Sequence, residues 1–168
     1  RQCREQSLIG VATNRSAAGS GDSAARPGEG AGLVVLPTRE LALQVDEVFK
    51  KVGRSLGLRT AVLIGGLSLI PQTQDLAKNP HVIIATPGRL IDHLNQKNLR
   101  LDDVRIAVLD EADRMLDMGF MPQIQKILHA LPKERQTLLF SATMPADIMK
   151  VATAHMQLPI RVEIAPTG

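Results

Sequence analysis

The sequence predicts an α/β fold, a parallel sheet with helices on both faces, from three observations. From Leu33 onward, short runs rich in Val, Ile and Leu alternate with longer segments whose apolar residues recur at helical spacing. The short runs are almost continuously apolar, as strands covered on both faces are, rather than alternating as half-exposed strands do. Three of them end at or just before an X-Pro step, Leu36-Pro37, Thr86-Pro87 and Met144-Pro145, where proline disfavours helix at the preceding residue and fixes a turn.

Taken in order, Ser7–Ala12 is a short buried strand. Asn14–Gly32 is Ala, Gly, Ser and scattered charge with no hydrophobic period, which reads as a flexible loop. Strands are expected at Leu33–Leu36, Ala61–Ile64, Val82–Ala85, Val104–Leu109, Thr137–Phe140 and Ile160–Ile164. Helical stripes lie between them: Leu41, Ala42, Val45, Val48, Phe49 and Val52; Leu90, Ile91 and Leu94; Ile124, Ile127, Leu128 and Leu131; Ile148, Val151 and Ala152. No internal repeat is visible. Ligands of such folds sit outside the carboxyl ends of the strands, which directs attention to 37–40, 65–66, 86–89, 110–113 and 141–143.

Length and composition bound the function. The 168 residues suit one domain, and 44% hydrophobic with 22% charged residues is ordinary globular composition. No apolar run approaches the ~18–20 residues that span a bilayer, and Arg1–Thr13 lacks the features of a secretory signal. The expectation is a soluble, cytoplasmic chain with no membrane partner. The single cysteine, Cys3, closes no internal disulfide and anchors no thiolate cluster, and the four scattered histidines lack metal-ligand spacing. A net charge of +3 is compatible with a polyanion without naming one.

The strongest chemical signal is Val104–Asp113, VRIAVLDEAD. An apolar strand that delivers Asp110 and Glu111 to its carboxyl end has the Walker-B form. The aspartate holds magnesium, directly or through water, and the glutamate polarises a water during nucleotide hydrolysis. Magnesium keeps several waters, so one or two carboxylates suffice. The same residues could also be nothing more than an acidic helix start that complements the macrodipole, and on this motif alone the two readings stand about even.

PTRELALQ (Pro37–Gln44), Gly65-Gly66, TPGR (Thr86–Arg89), DEAD (Asp110–Asp113) and SAT (Ser141–Thr143) follow one another, each at an expected strand end. In this order they resemble the first RecA-like domain of the DEAD-box ATP-dependent RNA helicases. RMLDMGF (Arg114–Phe120) and QTLLFSATMP (Gln136–Pro145) also resemble the family, especially its bacterial RhlE-like members. The likeness covers roughly 33–166. It implies a RecA-like domain that binds and hydrolyses ATP with magnesium and binds RNA through the sugar-phosphate backbone.

Carried residue by residue, the resemblance makes Asp110 and Glu111 catalytic, with Asp110 the magnesium position. It couples Asp113 to Ser141, Ala142 and Thr143, and places Pro37, Thr38, Arg39, Glu40, Gly65, Gly66, Thr86, Pro87, Gly88 and Arg89 along the RNA. The residue chemistry suits these roles. Glycines let backbone N–H groups approach a phosphate, Thr38 and Thr86 can bond phosphate or sugar oxygens, and Arg39 and Arg89 bring charge. Helix N-termini near 38 and 88 would face the same anion. A plain turn at Gly65-Gly66 and a plain N-cap at Thr38 are the bland alternatives, favoured about two to one before the family likeness is considered. With three phenylalanines and no Trp or Tyr, base stacking is not the main mode of recognition.

The sequence also departs from the family. An ATPase of this kind needs a glycine-rich loop ending in Gly-Lys-Thr, yet no lysine precedes Lys50. One reading makes Gly19-Ser20-Gly21-Asp22-Ser23 a degenerate phosphate loop, with an aspartate that would repel the nucleotide. The preferred reading makes 1–13 a remnant of the strand that runs into that loop, with the loop and its helix missing after Thr13 and 14–32 a linker. Nucleotide binding is thereby put in doubt. The adenine-reading segment and the second RecA-like domain are not recognisable in the sequence, the latter expected in a full-length protein. Three hypotheses follow: an inherited helicase domain with little activity of its own, a non-enzymatic RNA- or partner-binding module, and a fragment destabilised by an uncovered sheet edge.

Overall fold

The structure, a computed structural model, describes residues 9–12 and 31–164. The chain runs β1 (Ile9–Ala12), β2 (Ala31–Val35), α1 (Arg39–Gly53), β3 (Thr60–Leu63), α2 (Leu69–Ala77), β4 (Val82–Ala85), α3 (Pro87–Asn95) and β5 (Val104–Leu109). It continues with α4 (Ala112–Asp117), α5 (Met121–Ala130), β6 (Gln136–Ser141), α6 (Ala146–His155) and β7 (Ile160–Glu163). The sheet order is β3-β4-β2-β5-β6-β1-β7. The five strands from β3 to β6 are mutually parallel.

Alternate residues of β2 serve two cores. Leu33 and Val35 face one side with Leu63, Ile83, Leu90, Met115, Ile124, Ile127, Leu139 and Ile148, which draws α3 to α6 onto that face. Val34 and Leu36 face the other side with Ile84 and Ile64, where α1 lays down Ala42, Leu41, Val45 and Phe49. Helices therefore cover both faces, as the apolar runs imply. On the α1 side the cover reaches Val108 of β5 but not Ile106, which is 46 % exposed. Every residue of β7 is exposed as well, Ile160 and Val162 included.

Several helices begin where local chemistry dictates. Thr38 caps α1 by accepting from the Leu41 N–H at 3.3 Å, and Ser68 caps α2 by accepting from the Ile70 N–H at 3.3 Å. Pro87 stands in the first turn of α3, where its missing N–H costs nothing. Buried Asp46 ties α1 to β3 by accepting from the Thr60 hydroxyl, and Lys50 approaches it at 2.7 Å.

Two expectations need correction. β1 does not extend the parallel sheet: it pairs antiparallel with both β6 and β7, Ala12 opposite Leu138 and Ile160, and Ile9 opposite Ser141 and Glu163. Its carboxyl end therefore lies beside the start of β6, at the opposite edge from Asp110, and does not lead to where a phosphate loop would begin. The linker expected through 32 also ends earlier, because Ala31 and Gly32 already pair with β5 and β4. Gly19–Ser23, the degenerate loop candidate, lies outside the described residues, as does most of 14–32. Among the described residues no helix is long and apolar enough to cross a membrane, and no group of three metal-ligating side chains occurs.

Candidate functional site at the strand ends

All five segments singled out in the sequence meet at the carboxyl edge of the parallel strands, because each follows one of β2 to β6. The register brings them close. The Asp110 N–H donates to the Val35 carbonyl at 3.0 Å, the Leu36 N–H to Ala85 at 3.0 Å, and the Thr86 N–H to Leu63 at 3.0 Å.

At the β5–β6 end, Asp110 Oδ1 accepts from the Glu111 N–H at 2.9 Å. Burial pushes the Asp110 carboxyl above the usual range, the Glu111 N–H bond pulls it back, and the neighbouring Glu111 carboxylate raises it further. Glu111 has φ 52° and ψ 50°, left-handed backbone that a non-glycine residue adopts at a cost. The Arg114 guanidinium holds its carboxylate at 3.2 Å.

Asp113 joins the two strand ends. Its N–H donates to Ser141 Oγ at 3.1 Å, and its Oδ2 accepts from the Thr143 N–H at 3.1 Å and the Thr143 hydroxyl at 3.0 Å. Burial alone would raise this carboxyl. The Thr143 and Ser141 hydroxyls, then the backbone N–H groups of Arg114 and Thr143, outweigh burial and hold it below the usual range. Ser141 is buried and Thr143 exposed, with Ala142 between them carrying no polar side-chain group.

At the β2–β4 end, Thr38, Arg39 and Glu40 open α1, while Thr86, Pro87, Gly88 and Arg89 open α3. Both helix N-termini face the rim. Gly66 has φ +77°, and a Cβ there would run into the Arg39 guanidinium. Around Gly65 and Gly88 a Cβ would meet nothing within 4 Å, so no protein contact requires a glycine at either position.

Arg89 is not the free cation the sequence suggests. Its side chain is 12% exposed, and its Nη1 donates to the Leu67 carbonyl at 2.8 Å and to Gln72 Oε1 at 3.2 Å. Buried Arg89 Nε makes no hydrogen bond and lies 3.5 Å from Asp92 Oδ2. Gln72, fully buried His93 and Asn98 complete this cluster and were not singled out by any motif. Their only local signal is a polar residue at Gln72, one turn from buried Leu76 on the same helix face.

The DEAD/DEAH box helicase family model matches residues 15–151. The chain is 48% identical over 135 residues to the ATP-dependent rRNA helicase rrp3 of Aspergillus niger, covering 80% of this chain and 29% of that protein. It is 48% identical over 134 residues to the ATP-dependent RNA helicase DDX47 of Drosophila melanogaster, covering 79% and 26%. The chain thus spans less than a third of the length of these relatives. Among solved structures, a DEAD box protein from Methanococcus jannaschii aligns with TM-score 0.74 and 41% identity over 77% of this chain and 35% of that one. The yeast DEAD-box splicing factor Prp28 aligns with TM-score 0.79 and 34% identity over 88% and 36%.

Proposed function

The chain belongs to the DEAD/DEAH box helicase family, and on that premise we propose that it is the N-terminal core domain of an ATP-dependent RNA helicase. Its rim grips the RNA backbone and carries the magnesium half of the nucleotide site. The observation that carries this reading is the convergence of all five segments on one sheet edge, with Asp113 bonded across to Ser141 and Thr143.

The RNA half rests on shape and charge. Open space at Gly65 and Gly88, two helix N-termini and exposed Arg39 suit a phosphate backbone approached by main-chain N–H groups, without reading of bases. Binding of this kind is salt-sensitive and indifferent to sequence.

Magnesium suits Asp110, where burial beside a second carboxylate penalises the ionised form and a cation would relieve the penalty. When bound, the ion supplies charge that neutralises phosphate oxygens. Asp110 would hold it through water, and Glu111, anchored by Arg114, would take a proton from an adjacent water. The triphosphate does not fit as well. Among the described residues there is no glycine-rich loop with a lysine beside Asp110, and β1 ends at the far edge of the sheet. This favours a chain that hydrolyses little or no ATP alone, and it supports a second reading, an RNA-binding module derived from a helicase domain. Unwinding belongs to a longer protein with a second RecA-like domain.

Equilibrium binding of magnesium-ATP, with a circular dichroism melt of the same sample, tests the division. A folded chain that binds single-stranded RNA but not millimolar ATP is the expected result. ATP binding abolished by Asp110→Ala would restore the full nucleotide site to this chain. A folded chain that ignores RNA at low salt would overturn the proposal.

A further inference from the structure

Gly65 and Gly66 form the turn between β3 and α2, and the carbonyls on either side of them are held by a polar cluster of Gln72, His93 and the Arg89 guanidinium. Gln72 Nε2 donates to the Ile64 carbonyl at 2.9 Å, and Arg89 Nη1 donates to the Leu67 carbonyl at 2.8 Å. These two donors are themselves joined, because Arg89 Nη1 also donates to Gln72 Oε1 at 3.2 Å. One side-chain pair therefore fixes both ends of the four-residue segment 64–67.

The orientation of Gln72 is set by its partners. Its oxygen faces two groups, Arg89 Nη1 and His93 Nε2 at 2.9 Å, and its nitrogen faces a carbonyl, so the reversed amide would oppose donor to donor and acceptor to acceptor. His93, 0 % exposed, must then carry its proton on Nε2, and its Nδ1 accepts from Asn98 Nδ2 at 3.2 Å. Gln72 is 5 % exposed. Gln72 and His93, buried and hydrogen-bonded to each other, confer a specific geometry more than net stability. Here the geometry is that of a glycine turn, which has little of its own to hold it.

We infer that Gln72, locked by His93, is a positioning residue that presents the Gly65-Gly66 backbone to a phosphate of the RNA, with Arg89 the second arm of the same clamp. This rests on the RNA-backbone reading of the rim given above. Arg89 acts through the loop carbonyl it holds, while exposed Arg39 remains the cation offered to solvent beside Gly66.

The test uses the 168-residue chain with Gln72→Met, His93→Leu and His93→Gln, all of which leave the rim charges unchanged. Two quantities are read: backbone 15N order parameters of Gly65 and Gly66 without RNA, and affinity for a single-stranded oligoribonucleotide at fixed salt. Gln72→Met should lower both glycine order parameters below about 0.7, against about 0.85 for rigid backbone, and weaken RNA binding about tenfold. His93→Leu should do the same to a smaller degree, and His93→Gln, which keeps a donor for Gln72 Oε1, should recover most of the loss. Parental order parameters in folded Gln72→Met overturn the clamp. Mobile glycines with unchanged RNA affinity overturn its role in binding. A parent that binds no RNA removes the binding role along with the reading it rests on, and the order parameters then decide the clamp separately.

Discussion

At the β5–β6 end of the rim, the Asp113 carboxylate accepts from the N–H and hydroxyl of Thr143, while the Asp113 main-chain N–H donates to Ser141 Oγ. At the β3–β4 end the organising groups are a buried amide, a buried imidazole and the Arg89 guanidinium, and the amide and guanidinium donate to the Ile64 and Leu67 carbonyls. The first arrangement is exposed to solvent at Thr143. The second lies inside the molecule, with Gln72 and His93 both buried. One edge of one sheet thus carries a charged joint at one end and a buried polar cradle at the other.

Removing the charged joint should have the largest effect. Asp113→Ala removes the acceptor of the Thr143 N–H and of the Thr143 and Ser141 hydroxyls, while the main-chain N–H at 113 keeps its bond to Ser141 Oγ, and charge-assisted bonds of this kind are worth about 1–3 kcal/mol. Urea unfolding should show a loss of that size, with an unchanged m-value. A loss confined to a few tenths would mean that the joint is open in solution.

The cradle should be less costly to disturb. Gly66→Ala places a side chain at φ +77°, a strain of about 1–2 kcal/mol, while the Arg39 guanidinium it would strike can swing aside. Stability should fall by about that amount and RNA affinity with it. The two arginines then separate charge from positioning. Arg39→Ala should reduce the slope of log K against log salt by about 1, the value for one lost phosphate contact, whereas Arg89→Ala should weaken RNA binding with little change of slope. Equal slope changes would mean that Arg89 leaves Leu67 to meet the phosphate.

The contrast between the two ends was only half legible in the sequence. The charged end is local: a strand followed by Asp110-Glu111 and another followed by Ser141-Ala142-Thr143 are each visible as short runs, and β2 to β7 fall within two residues of expectation. The cradle is assembled from Gln72, Arg89, His93 and Asn98, up to 26 positions apart, and no periodicity ties an amide in one helix to an imidazole in another. α2 escaped notice for the same reason. Pro71 stands in its first turn and Gln72 occupies a core position, so its apolar stripe is too thin to register. α4, at six residues, is too short to show a period. The direction of β1 was hidden differently, since an apolar tetrapeptide pairs as well with either sense of neighbour.

The smallest effect separates two carboxylates three residues apart. Asp113 has its carboxyl held down, so its contribution to stability is present above the ordinary aspartate range and disappears as pH falls through the lowered value. Asp110 has its carboxyl pushed up, chiefly by burial. Its contribution is fullest below the ordinary range and is lost as pH rises through the raised value. Asp110→Asn keeps an oxygen for the Glu111 N–H and removes only the charge, so it should leave the chain slightly more stable than the parent at pH 7 and no more stable at pH 3.5. Asp113→Asn should be less stable at pH 7, with the deficit closing in acid. Urea midpoints of the two variants across pH 3–7 should therefore diverge from the parental curve in opposite directions as pH rises. Added magnesium should draw the parent toward Asp110→Asn if the raised carboxyl is where the ion binds, because a bound cation removes the penalty that the substitution removes. Divergence in the same direction would mean that both carboxylates answer to one shared charge, and that the joint and the magnesium position are a single site.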